Sequence, residues 1–290
     1  MILEKWFRDI LVDPLGKEPL SESEGFLSAA YGRRYPVVNG IYDLRVLNNE
    51  TTADQKTWRE GQVEYTRMHK DEIPRDAHID YAAEIESVRG VYDAIPLEGR
   101  VLDVGGHQGR LRSFIRDGQS YAGCDPFLEV FDGIDRQPNL LRAFPFLQQP
   151  INFVCCDAEL LPFRSQSFQT VHMRSVIDHF LSPELALNEA YRVLEPGGKL
   201  IIGLYVEGGK LGRESGLTGA KEAVKRLISA VGIDGYKDHH IWHPTAQELL
   251  DLASDCGFAP EKTHWQEGTG DMVVYVGFRK RAALGRKAGQ

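Results

Sequence analysis

Two rhythms of apolar and polar positions alternate along this chain. Between residues 76 and 280, short runs rich in β-branched and aromatic residues recur between stretches of helical spacing. That alternation predicts an α/β sheet. The strand runs are "RVLDVG", "SYAGCD", "INFVCCD", "FQTVHMRS" and "KLIIGLYV", in that order. Helical patterns fill the gaps at Ala82–Ala94, Arg110–Asp117 and Glu184–Leu194. A further helix is expected over Thr245–Cys256, where "TAQE" sets a threonine cap three residues before an acid. Runs at Glu261–Trp265 and Met272–Phe278 flank the turn signal "QEGTGD", so a mostly parallel sheet should end in an antiparallel hairpin.

The first 75 residues read differently. Residues 1–47 carry short strand runs and turns, with Asn39-Gly40 as a hairpin signal. Residues 48–75 are polar and charged and read as a linker that becomes a helical cap. Further along, residues 207–237 form a connection longer than is usual between helix and strand. Its glycines and the amphipathic "TGAKEAVKRLISAV" predict a lid over an acceptor. Residues 281–290 form a basic tail with the character of a frayed terminus.

Composition narrows the functional classes. The chain has 290 residues, 42% hydrophobic and 26% charged, enough for a full core. A net charge of −8 argues against a general nucleic-acid binder, which would show a basic footprint. Cys124, Cys155, Cys156 and Cys256 lie in or beside apolar runs and form no C-x-x-C pair, as expected of buried thiols in a reducing cytoplasm. The first residues, "MILEKWFRDI", lack the apolar region of a signal peptide. No apolar run approaches the ~18 residues of a membrane span.

The stretch "RVLDVGGHQGRL" joins a strand to a helical pattern through a glycine turn. A dinucleotide fingerprint, G-x-G-x-x-G, would place Val104, Gly106 and Gly109 in its glycine positions. The first glycine is missing, and Asp103 ends the strand. A pyrophosphate gains nothing from a carboxylate there. A cofactor with a cationic amino-acid end does, and S-adenosyl-L-methionine has one, with no phosphate. Asp125 ends the next strand and can accept both hydroxyls of a ribose, with Pro126 beside it. Asp157 ends the third, placed to accept an adenine amino group while Ala158 passes along the ring.

These segments, with "FQTVHMRSVIDHF" and "AYRVLEPGGKLII", resemble the class I S-adenosylmethionine-dependent methyltransferases. The likeness is to the broad bacterial group that includes quinone-biosynthesis C-methyltransferases, and it covers residues 76–280. It implies a Rossmann-like sheet and cofactor contacts from Asp103, Gly105, Gly106, His107, Gly109, Asp125, Pro126, Asp157, Ala158, Arg174 and Ser175. The group usually reads D-x-G-x-G-x-G, and here His107 stands at the second of those glycines. Its ring must crowd the methionine end of the cofactor or point away.

"ILVDPLGKEPL" and "SAAYGRRYPVVNGIYDL" resemble a small zinc-ribbon-like domain, known as an activator of tRNA and other methyltransferases and as a fusion to some of them. Its four cysteine positions hold Asp13, Gly16, Ser28 and Tyr31, which do not make a structural zinc site, so no zinc is expected. Packing by Leu11, Leu20, Tyr35, Val37, Ile41 and Leu44 must hold the segment instead. Its role is then a packed cap, or one that shapes the substrate site or a homodimer.

Methyl transfer needs the nucleophile held in line, and a hydroxyl acceptor also needs a base. His179, in "SVIDHF", follows the fourth strand, whose end faces the ligand crevice. Asp178 is placed to orient it. A second group, "KDHHIWHP", offers His239, His240 and His243. On a helix His239 and His243 would share a face and a metal site would be conceivable, but Pro244 and the Thr245 cap argue for a loop. His179, His239 and His240 are therefore the candidate catalytic residues, and no metal is assigned. Trp58 and Tyr65 are expected to close the other side of the cofactor pocket. The leading reading is a methyltransferase for a small-molecule hydroxyl, on a sugar or secondary metabolite. The alternatives are an RNA methyltransferase and an inert cofactor-binding scaffold.

Overall fold

The computed structural model describes residues 1–46, 52–212 and 238–282. The chain opens with α1 (Lys5–Ile10) and four short strands, β1 (Ser21–Ser23), β2 (Phe26–Ser28), β3 (Arg34–Val38) and β4 (Ile41–Asp43). Asn39 and Gly40 turn β3 into β4 with φ of 51° and 77°, the left-handed pair that a tight hairpin demands. Next come α2 (Ala53–Arg75), started by a Thr52–Gln55 capping box, and α3 (Tyr81–Ala94), started by Asp80. β5 (Arg100–Val104), β6 (Ser120–Asp125), α4 (Pro138–Ala143), β7 (Phe153–Cys155), β8 (Phe168–Arg174), α5 (Pro183–Val193) and β9 (Leu194–Tyr205) follow. The described chain ends with α6 (Ala246–Asp255), β10 (Phe258–Trp265) and β11 (Val273–Lys280).

All these strands form one sheet in the order β1-β2-β3-β4-β7-β6-β5-β8-β9-β11-β10. From β4 to β9 each neighbour is parallel, and β11 enters antiparallel between β9 and β10. The expected mixed sheet and closing hairpin are therefore present. The order reverses at β5, so the crevice outside the carboxyl ends of β5, β6 and β8 is where such a sheet takes a ligand.

Residues 1–46 are an edge of this sheet. β4 pairs with β7 at Tyr42↔Val154 and Asp43↔Cys155. Phe7 and Leu44 are fully buried in the same apolar core as Phe163 and Phe168. Of the residues expected to hold this segment, Leu11, Tyr35 and Ile41 are buried as well, while Leu20 and Val37 are partly buried against the core.

Two elements depart from expectation. The helix expected over Arg110–Asp117 is a single 3₁₀ turn, Arg110–Phe114, because Ile115 turns extended and Gly118 reverses the chain at φ 83°. Leu111 and Phe114 thereby face the cleft described below. β9 begins five residues early, at Leu194, with an irregularity in its pairing to β8. The lid expected over 207–237 lies outside the described residues except for 207–212. The basic tail also lies outside them beyond residue 282. Among the described residues, no helix is long and apolar enough to cross a membrane.

Candidate functional site

The glycine turn is built for close approach. The amides of Gly105 and Gly106 both donate to the Cys124 carbonyl, at 2.8 and 3.2 Å, which folds the turn back over β6. Gly105 has φ of 67°, and a Cβ there would come within 2.4 Å of the Val176 side chain. A Cβ on Gly106 would come within 2.6 Å of Asp103 Oδ2. Neither position admits a side chain. Gly109 ends the turn with φ of 85°.

His107 adopts φ of 46° in this turn. Its ring points toward α2: it stacks on Phe127 at 5.9 Å and meets the edges of His69 and Tyr65 at 5.4 and 5.7 Å. Burial, aided by the nearby Arg110 and His69, pushes its pKa down to about 3, so the ring is neutral. Its backbone N–H donates to Asp125 Oδ2 at 3.0 Å, and the Phe127 N–H donates to Oδ1 at 2.9 Å. Burial outweighs these bonds and raises the Asp125 pKa to about 6.

Asp125, Pro126, Asp157 and Ala158 share a small cleft of about 30 Å³ with Trp58 of α2. Asp157 Oδ2 accepts the Val46 N–H at 2.8 Å, and Arg45 donates to the Pro126 carbonyl at 3.0 Å. The end of the N-terminal segment is thus tied to both loops of the cleft. Gly105 also lines a larger cleft of about 340 Å³, together with Asp103, Gly106, His107, Arg174 and Ser175. Tyr65 and His69 of α2 and Glu84 of α3 cover it. Trp58 and Tyr65 accordingly roof the two clefts from one helix.

Asp103 lines the larger cleft with both oxygens engaged: Tyr121 donates to one at 3.1 Å, and the His172 ring bonds the other at 2.7 Å. Asp103 and His172 are register partners on β5 and β8, and His172 continues to the Tyr92 hydroxyl at 3.1 Å. Inspection of the sequence missed this buried chain. The alternation in "FQTVHMR" puts His172 and Arg174 on one face, but only the strand register brings Asp103 beside them. It also missed Arg110, which pairs with Glu84 at 2.8 Å over the same cleft.

The histidines gather on the turn after β8. Ile177–His179 is a single 3₁₀ turn, and the Asp178 carbonyl accepts the N–H groups of Ile241 and Trp242 at 2.8 and 3.1 Å. Residues 238–244 form a loop, as the proline and cap imply. His179 and His240 stack at 4.4 Å, and burial lowers the His179 pKa. His239 packs against α2, where a Cβ on Gly61 would lie 3.2 Å from its own Cβ. Its Nδ1 is buried with no hydrogen-bond partner among the described residues. His243 turns away to Asp238.

Among the four N-terminal positions compared above with zinc ligands, Asp13 is fully buried. It accepts from the Gly16 N–H at 2.6 Å and from Arg33 and Tyr35. Tyr31 is 86% exposed.

The strand order, the switch at β5 and the glycine turn define a class I, Rossmann-like methyltransferase fold. More particularly, residues 102–202 match the family described as "Methyltransferase domain". The chain is 42% identical over 52 residues to the ubiquinone/menaquinone biosynthesis C-methyltransferase UbiE of Ruegeria sp. (strain TM1040), covering 18% of this chain and 21% of that protein. It is 32% identical over 164 residues to an uncharacterized methyltransferase of Mycobacterium sp. (strain KMS), covering 54% of this chain and 61% of that one. Both matches thus span less than two thirds of the relative. The fold is similar to that of Burkholderia thailandensis 1,6-didemethyltoxoflavin-N1-methyltransferase, solved with 1,6-didemethyltoxoflavin and S-adenosylhomocysteine. That likeness has a TM-score of 0.53 and 15% identity, and covers 85% of this chain and 98% of that one.

Proposed function

We propose that this protein is an S-adenosyl-L-methionine-dependent methyltransferase that methylates a hydroxyl of a small molecule. The observation that carries the reading is the pair of buried carboxylates, Asp125 and Asp157, in one cleft with the backbone of Gly105. A nucleoside fits this donor set: Asp125 would take the ribose hydroxyls, and Asp157, with Ala158, the adenine. The amino-acid end would lie toward the larger cleft, where Asp103, Arg174 and Ser175 meet the glycine turn. When bound, the cofactor supplies a methyl group activated by a sulfonium.

The chain's own residues have two further tasks. Trp58 and Tyr65 exclude water from the cofactor side, and the histidine wall serves the acceptor. Of the three candidate histidines, His239 offers a buried imidazole nitrogen with no hydrogen-bond partner among the described residues and is the preferred proton acceptor. A base of this kind suits a hydroxyl better than the carbon acceptor named for the UbiE relative. The net charge of −8 favours a small acceptor over RNA. We read residues 1–46 as a cysteine-free counterpart of the zinc-ribbon-like activator, held by Asp13, Arg33 and Tyr35. Calorimetric titration with S-adenosylhomocysteine tests the core of the proposal. One site per chain is expected, and no saturable binding would overturn it. Transfer of labelled methyl to a panel of hydroxylated small molecules tests the acceptor class, and labelling only at carbon or of RNA would replace it.

A further inference from the structure

Asp178, His179 and His240 place a carboxylate oxygen and two imidazole nitrogens within 4.8 Å of one another. Among the described residues, no other group of His, Cys, Asp or Glu side chains is gathered in this way. Acids and histidines often sit together merely as hydrogen-bonded pairs. Three details distinguish this cluster.

Asp178 is 8% exposed, and its Oδ1 is buried with no hydrogen-bond partner among the described residues. A carboxylate oxygen in that condition is unfavourable unless a proton donor or a cation reaches it. His240 Nδ1 bonds Asp238 Oδ1 at 2.7 Å, which orients the ring and leaves Nε2 as its second nitrogen. That Nε2 faces Asp178 Oδ2 at 3.5 Å, beyond ordinary hydrogen-bond distance. His179 is held beside it, its ring stacked on that of His240 at 4.4 Å. An imidazole fixed through one nitrogen by a carboxylate or carbonyl, with the other turned to a shared point, is the arrangement of a metal ligand. His243 completes the outer layer by bonding the second oxygen of Asp238 at 3.0 Å.

We propose that Asp178, His179 and His240 bind one divalent transition-metal cation. Two imidazoles and one carboxylate, with positions left open, suit first-row cations such as Mn²⁺, Fe²⁺, Co²⁺ and Zn²⁺. The site lies on the turn between Ser175, which lines the larger cleft, and Phe180, which lines the smaller. Its use rests on the functional reading above. A hydroxyl of the acceptor bound at an open position becomes more acidic and is held in place, and its proton passes to His239. Binding itself does not depend on that reading.

The test uses tag-free full-length protein, stripped with a chelator and titrated with Co²⁺ by calorimetry and visible absorption. One Co²⁺ per chain is expected, with a ligand-field band. Asp178→Asn and His240→Ala should each weaken binding at least about tenfold, and Asp238→Asn should do so through the orientation of His240, as the loss of outer-layer partners does elsewhere. Thermal melts confirm that each variant is folded. If His240 is instead a protonated partner of Asp178, the wild-type protein shows no saturable Co²⁺ uptake, and the proposal fails. It also fails if Asp178→Asn leaves the isotherm unchanged. The same samples are titrated with S-adenosylhomocysteine. Loss of that binding alone would remove the methyltransferase reading and leave the cobalt result standing.

Discussion

Two groups of acids and histidines, one at the strand ends that line the clefts and one on the loop that returns to the turn after β8, are held in different ways. At the ends of β5, β6 and β7, Asp103, Asp125 and Asp157 are 4%, 7% and 3% exposed. Their oxygens are bonded by backbone N–H groups of adjoining loops or by rings of the core. On the loop, Asp238 bonds His240 and His243, and all three are about one third exposed. Charge at the strand ends is woven into the sheet. On the loop it is shared among partly exposed side chains.

The largest effect that would sharpen this contrast is expected from Asp103→Ala. It strips a buried acceptor from Tyr121 and His172 together and should cost about 3 kcal/mol in urea unfolding, the loss of hydrogen bonds to a charged group. His240→Ala in the same assay should cost less than about 1 kcal/mol. Equal losses would erase the distinction between the two groups.

Asp125→Ala should weaken S-adenosylhomocysteine binding by about 1.5–3 kcal/mol, for want of a charged acceptor. Unchanged affinity would take Asp125 out of the site. His239→Ala should lower kcat at least about tenfold, toward the ~10²–10⁴ typical of a general base, with cofactor affinity within about threefold. If alanine at His179, at His239 and at His240 each leaves kcat intact from pH 6 to 9, the acceptor needs no help with a proton, and the hydroxyl assignment falls.

A smaller effect comes from pH. With the Asp125 pKa raised to about 6, close to a tenth of the carboxyl is ionised at pH 5. Cofactor affinity should therefore fall about tenfold between pH 7.5 and 5. The stability contribution has the opposite sign. The native carboxyl takes up its proton at about 6 and the unfolded one near 3.8, so the native state binds more protons between those values. This group's share of stability therefore rises as pH falls through that window and is lost as pH climbs past 6. His107 works against it: pushed to about 3 in the fold, its ring stays neutral while the unfolded ring takes up a proton near 6.5, so its share of stability is lost as pH falls below about 6.5. Affinity that is flat over this range would mean the Asp125 carboxylate is not used.

Particular residues show how far the chain could be read unaided. Asp103, Asp125 and Asp157 were legible because each closes an apolar strand run, and strand ends in a parallel sheet open on the crevice. The capping box at Thr245 and the Asn39-Gly40 hairpin were legible because their chemistry is complete within four residues. The helix expected after Gly109 was not, since apolar spacing alone does not reveal that Ile115 leaves the helical region. Nor was the direction of the His107 ring, which is set by Phe127 and by His69 of α2.

Segment type, strand ends and caps are properties of neighbouring residues, so the order of side chains settles them: the alternating α/β pattern, the glycine turn and its acids follow from local sterics and hydrogen bonding. Partnerships across the chain follow from register and packing instead. Asp103 meets His172 because β5 and β8 pair in one register. Val46 reaches Asp157 because β4 docks beside β7. Asp178 and His179 meet His240 because the loop at 238–243 hydrogen-bonds back onto the turn after β8. Spacing along the chain would pair His239 with His243 only on a helix, which Pro244 and the Thr245 cap argued against; the folded loop turns His243 to Asp238 and brings His240 against His179, since which side chains meet depends on where the backbone returns.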